Sequence, residues 1–261
     1  MKAVIRFILL LFLPGTLQAS VVILNGLTHV HQVATANARV QGTIRVRNEN
    51  AREARILIYR QDLLAACGGV AEYPEAGSHP RSLGNALKTN VDERIVGANE
   101  EYEITYTAQL DPHKVSTGTY WQVVMIEVAE PVKEQPRAGI QVNSKVRYAI
   151  QVVVDVGTYE GPRLSYENVV FDKVTSKQGL LKVMLKNNGS FASRANVVLE
   201  VYDTSGNKLK TTEPNTRMVY PGYCSTYEIP VSDLSKGKYD CVIIADTGKD
   251  LFGSNIALQI E

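Results

Sequence analysis

From Val21 onward, apolar residues fall on every second position. In ARVQGTIRVRN, Val40, Gly42, Ile44 and Val46 share one phase, and Arg39, Gln41, Thr43, Arg45 and Arg47 share the other. EEYEITYTAQ repeats the pattern, with Tyr102, Ile104, Tyr106 and Ala108 opposite Glu101, Glu103, Thr105 and Thr107. A period of two predicts strands with one face buried, because successive side chains point to opposite faces. ARILIYRQ and TYWQVVMIEV are apolar on both phases, as expected of central strands. Turn chemistry separates the segments at Asn48-Glu49-Asn50, Gly97-Ala98-Asn99 and Asp111-Pro112. No window carries an amphipathic helix capped at both ends. The fold class is therefore all-β.

The alternation breaks at DVGTYEGPR, near Asp155–Arg163, and then restarts. LLKVMLKNNG carries Leu181, Val183 and Leu185 inward. NVVLEVYDTSGN, CSTYEIPV, KYDCVIIAD (Tyr239, Cys241, Ile243) and NIALQIE (Ile256, Leu258, Ile260) follow. About seven strands in about 100 residues is the count of an immunoglobulin-like sandwich. Two such sandwiches in tandem are expected, over 20–156 and 164–261, joined by a linker at 157–163. The first holds two irregular stretches. Leu63–Asn90 is too long for a hairpin and has room for one helical turn, and Ala129–Ile140 has the prolines of an exposed hairpin tip. The strand after that tip is long, with Val142, Val146, Tyr148, Ile150, Val152 and Val154 on one face.

The first 19 residues read as a cleaved signal peptide. Lys2 and Arg6 precede the apolar run Phe7–Leu13, Pro14-Gly15 breaks it, and small residues lead to Ala19. That run is too short to span a bilayer, which needs about 20 residues, and the mature chain has no integral membrane segment. An exported, periplasmic protein is expected, with the surface or the exterior as the other destinations. Loss of Lys2 and Arg6 takes the formal charge from +1 to −1. With no polybasic block, nucleic acid is excluded as a partner.

The candidate chemistry is sparse. His29 and His31 share a strand face at a spacing that suits a metal, but no third ligand lies nearby, so neither metal nor cofactor is expected. Ser78, His79 and Ser82 in GSHPRS lack a nucleophile elbow, so no catalytic residues are assigned and the chain is not expected to be an enzyme. His79 and Arg81 are instead candidate loop contacts. Arg39, Arg45 and Arg47 make a solvated face matched by Glu101 and Glu103. Of the three cysteines, Cys241 falls on a buried phase. A hairpin through SDLSKG would set Ile229 opposite Tyr239 and leave Cys224 too far from Cys241 to bridge. Cys67 has no partner within its own domain.

GLTHV (Gly26–Val30), YPEAGSHPRS (Tyr73–Ser82), GTYWQVVMIEV (Gly118–Val128), KVRYAIQVVVDVG (Lys145–Gly157) and the segment from Tyr220 to Ile260 together resemble the PapD-like periplasmic pilus chaperones. Within that group they resemble most an uncharacterised set of exported bacterial two-domain proteins. The resemblance implies strand augmentation: the last strand of the first domain pairs with an exported β-rich, fimbrial-type subunit and lends it alternating side chains. Here those would be Val146, Tyr148, Ile150 and Val152. The chain departs from the family in its cations. None occurs between Ala19 and Arg39, and Lys145 and Arg147 lie on the phase opposite the apolar stripe, so capture of a terminal carboxylate is not expected. A different reading of the same architecture is a structural or adhesive surface module that meets a ligand through the 63–90 loop.

Overall fold

The computed structural model describes residues 21–129, 132–133, 143–173 and 178–260. Segment 1–19 and most of the Ala129–Ile140 connection, with Val142, lie outside them. In the first sandwich the strands are β1 (Val21–Ile23), β2 (Thr28–Val33), β3 (Arg39–Asn48), β4 (Ala54–Gln61), β5 (Leu87–Thr89), β6 (Glu93–Val96), β7 (Glu101–Gln109), β8 (Gly118–Val128), β9 (Val132–Lys133), β10 (Asn143–Ser144) and β11 (Arg147–Val156). One sheet runs β1-β3-β7-β5 and the facing sheet β2-β11-β8-β4-β6; β9 and β10 form a short separate ladder. The period-two reading holds. Val40, Ile44, Val46, Ile104, Tyr106 and Ala108 all enter the core between these sheets. Leu63–Asn90 is not loop throughout, since it contains a 3₁₀ turn at Gly84–Ala86 and then β5.

Residues 157–163 carry no strand. Beyond them lie β12 (Leu164–Lys173), β13 (Gln178–Asn187), β14 (Ser193–Tyr202), β15 (Lys208–Thr211), β16 (Asn215–Val219), β17 (Cys224–Ser232), β18 (Gly237–Asp246) and β19 (Leu251–Ile260). They form the sheets β12-β13-β17 and β15-β14-β18-β19, with β16 also on β14. The expected hairpin between β17 and β18 is not formed: β17 pairs with β13, and β18 with β14 and β19. The connection, which includes Asp233 at φ 63°, crosses from one sheet to the other. Both strands then send apolar residues into one core, which holds Ile229 and Cys241 with Tyr239 packed against it, so Ile229 and Tyr239 are not the cross-strand pair that was expected.

A third apolar cluster joins the two sandwiches. On β8, Tyr120, Val124, Ile126 and Val128 enter the first core, whereas Trp121, Val123 and Met125 face the other way. On β11, Ile150, Val152 and Val154 enter that core, while Val153 and Ala149 join Trp121 outside it. The outer residues are covered by Leu63 and by Ala192 and Tyr220 of the second sandwich. This is why the central strands read as apolar on both phases. A disulfide between Cys67 and Cys224 closes the seam across 157 residues of chain, with the Cα atoms 4.8 Å apart. Cys67 thus finds across the domain boundary the partner that its own domain lacks. Cys241 is free and buried.

Removal of the bridge, by Cys67→Ser or by reductant, should leave both cores in place and lower the melting temperature. Closing a loop of this length stabilises a fold by about 5 kcal/mol in the chain-entropy picture, and by about 2–5 kcal/mol in measured cases. Thermal unfolding with and without dithiothreitol measures it, and superimposable curves would contradict the assignment.

Candidate partner-binding edge and interdomain cleft

β11 is paired on one side with β8 along its whole length. On its other side β2 runs parallel to it, but only from Gln151 to Val156. The Gln151 amide donates to the Leu27 carbonyl and the Gly157 amide to Val33, so odd-numbered residues turn their backbone groups toward β2. By the same alternation, Arg147 and Ala149 present theirs to an edge where no strand pairs among the described residues. The four residues expected to meet a partner divide accordingly. Ile150 and Val152 are fully buried in the first core, beside the stretch that β2 completes. Val146 and Tyr148 are only partly buried, against the same core, at the open end. The Tyr148 hydroxyl donates to the Val21 carbonyl at 2.6 Å and ties this end to the opposite sheet.

Lys145 and Arg147 are not free cations. Glu127, nearly buried, accepts from Lys145 Nζ at 2.8 Å, Arg147 Nε at 3.0 Å and the Tyr59 hydroxyl at 3.0 Å. The Lys145 hydrogen bond, followed by those of its other partners, holds the Glu127 carboxyl below the usual range. The two cations therefore brace the start of β11 against β8. On the arginine face Arg45 pairs with Glu101 at 2.9 Å and reaches Glu103 at 3.8 Å, as expected, whereas Arg47 pairs first with Glu49 at 2.5 Å and stands 3.9 Å from Glu101.

β2 is held by its histidines. His29 Nδ1 and His31 Nε2 lie 2.9 and 2.8 Å from the buried Tyr106 hydroxyl, so the pair anchors the strand to the facing sheet. Tyr106 lies over Gly42, where any Cβ would collide with its ring. Burial lowers the pKa of both imidazoles and pushes that of the Tyr106 phenol up to about 12. Among the described residues no group of three or more metal-ligating side chains forms.

The GSHPRS loop is built around Asp62, which sequence reasoning passed over. Asp62 is fully buried and accepts from the Gly77 and Ser78 amides at 3.0 and 2.6 Å, the Ser82 hydroxyl at 2.5 Å and Gln122 at 3.2 Å. This fixes His79 against Trp121, ring centroids 4.3 Å apart, and Trp121 in turn stacks on Tyr220 at 4.6 Å. A lone acid between the strand ARILIYRQ and two leucines was the available signal. Trp121 was visible only as one of many apolar residues in a central strand. His79 and Arg81, singled out as loop contacts, both line an interdomain cleft of about 480 Å³ with Pro80, Asn188, Pro221 and Tyr223. A second cleft of about 500 Å³ opens beside β2, where Thr28, Tyr73 and Gln151 face Arg194, Arg217 and Tyr220.

No family model matches the chain, and no curated protein matches it. Solved structures do. A chain in the crystal structure of the CsuC–CsuE chaperone–tip adhesion subunit pre-assembly complex, from the archaic chaperone-usher Csu pili of Acinetobacter baumannii, matches with TM-score 0.50 and 15% identity. The match covers 91% of this chain and 98% of that one. The Pseudomonas aeruginosa CupB2 chaperone matches at TM-score 0.43 and 13% identity, over 92% of this chain and 100% of its own. The E. coli chaperone DraB gives 0.42 and 12%, over 92% and 98%. The fold is that of the PapD-like chaperones. No helix among the described residues is long and apolar enough to cross a membrane.

The folded-state pKa values of His29, His31 and His79 all lie below the ordinary 6.5, chiefly through burial. The unfolded chain therefore takes up protons first on acidification. Stability should be full above about pH 6.5 and fall as the pH drops below it. Melting temperatures from about pH 7.5 to about pH 5 should show this fall, and His31→Gln should flatten it. An unchanged slope in the variant would refute the assignment.

Proposed function

We propose that the protein is an exported chaperone-like protein that holds β-rich subunits, including fimbrial-type ones, by strand augmentation along the open end of β11. The observation that carries the reading is the unpaired edge at Arg147 and Ala149, continuous with a strand whose other edge is fully paired. An added strand would gain main-chain hydrogen bonds there, with Val146 and Tyr148 as the apolar contacts at its side. Ile150 and Val152 serve the fold of the first sandwich and support this edge from within. The interdomain cleft beside β2 offers the partner a second wall.

The Csu structure contains a chaperone and a tip adhesion subunit in a pre-assembly complex, and this chain shares that fold. Export to an oxidising compartment such as the periplasm fits the Cys67–Cys224 bridge, since disulfides persist there and not in the cytosol. Lys145 and Arg147 are both engaged by Glu127, so the reading assigns them to the edge's geometry and not to capture of a carboxylate.

Ala149→Pro removes an amide that points to the open edge while leaving the pairing with β8 in place. Proline is tolerated at such positions. Native mass spectrometry of protein drawn from its host's periplasm should show a stoichiometric β-rich companion, lost in Ala149→Pro and weakened in Tyr148→Asp. Ile150→Asp, by contrast, should abolish folding itself. Retention of the companion by a folded Ala149→Pro variant would refute augmentation at this edge.

A further inference from the structure

The cleft formed by His79 and Arg81 lies apart from the β11 edge and contains polar groups whose needs the protein does not meet. The His79 side chain is only 2% exposed, yet neither ring nitrogen has a hydrogen-bond partner among the described residues. The Asp62 carboxylate stands 3.8 Å from Nε2, with its oxygens already committed to Gly77, Ser78, Ser82 and Gln122. A buried donor left unsatisfied costs about 1–3 kcal/mol, so a built pocket that keeps one is poised to receive an acceptor.

Arg81 supplies the second half. No carboxylate pairs with its guanidinium among the described residues. The guanidinium makes a long bond from Nη1 to the Thr119 carbonyl at 3.4 Å and lies 5.6 Å from the centroid of the Tyr120 ring. A planar guanidinium suits an oxyanion through paired donors, and nearby imidazole and rings lower the local dielectric and strengthen that attraction. Pro80, Pro221 and Tyr223 close the walls, and Asn188 adds a polar side chain from the second sandwich. A volume of about 480 Å³ is that of a small-molecule site.

We propose that this interdomain cleft binds a small oxyanion-bearing molecule, a carboxylate or a phosphate, held by Arg81 and His79. The site spans both sandwiches, so its occupant also bridges them. The proposal does not depend on strand augmentation.

Trp121 is the chain's one tryptophan and lies against the His79 ring, so its emission reports on the cleft. The protein is titrated with sodium phosphate and, separately, with citrate, at an ionic strength held constant with chloride. A saturable change in emission with at least one of the two is expected, about tenfold or more weaker in Arg81→Gln and weakened in His79→Gln. Arg81→Lys should keep a reduced saturable response. Far-UV circular dichroism checks that each variant is folded, and His79→Gln and Arg81→Lys carry the test if Arg81→Gln is not. A response no different from that to chloride, as expected of a cleft that holds water alone, would overturn the proposal. Equal affinity in wild type and folded variants would do so too.

Discussion

The stack of His79, Trp121 and Tyr220 is the contact on which the rest of the arrangement depends. It joins a loop of the first sandwich, the first half of its central strand and a turn of the second sandwich in one column of rings. Aromatic pairs of this kind contribute about 0.5–1.5 kcal/mol each beyond the area they bury. Around them Val123, Met125, Val153 and Ala192 exclude water, and the Trp121 indole donates to the Leu63 carbonyl at 2.9 Å. The Cys67–Cys224 bridge and the bond from the Cys224 amide to the Ala65 carbonyl, 3.2 Å, fasten the same region covalently and by hydrogen bond. Thr119 adds a polar tie, accepting from the Ala192 amide at 2.7 Å and donating to Asp155.

That seam explains the division of labour on β11. Its even-numbered side chains complete one core and its odd-numbered ones face the second sandwich, so the middle of the strand has no side chain to spare. Among the described residues, only the backbone at its start, before β2 joins, lies beside no pairing strand. Glu127 keeps that start in register by gathering Lys145, Arg147 and Tyr59, and the His29–Tyr106–His31 contact fixes where β2 begins to cover the edge. The exposed edge is short because both devices work, and a short edge is also the safer one, since long open edges invite unselective pairing.

Much of this was legible along the chain. Alternation located the core faces of β3, β7, β13 and β18 because a half-buried strand imposes its period directly on the sequence. The doubly apolar strands were recognised as central, but periodicity does not say what covers the outer face, so the partners of Trp121 stayed hidden. The disulfide was missed for a related reason: Cys67 and Cys224 lie 157 residues apart, and sequence spacing within a domain cannot reveal a contact between domains. The hairpin through SDLSKG failed because a short polar turn looks the same whether it joins neighbours in one sheet or crosses between two. Ile150 and Val152 showed the right alternation for either of two uses, lending side chains to a partner or filling their own core. In the structure both are fully buried in the core of the first sandwich.

The central claim is that β11 is open at its start and closed from Gln151 onward. Residue-resolved amide hydrogen exchange tests it most directly. In the free protein the Arg147 and Ala149 amides should exchange freely while those of Gln151 and Val153 are protected, and in the proposed complex with a β-rich subunit all four should be protected. Protection of Arg147 and Ala149 in the free protein, or no gain of protection on complex formation, would contradict the account.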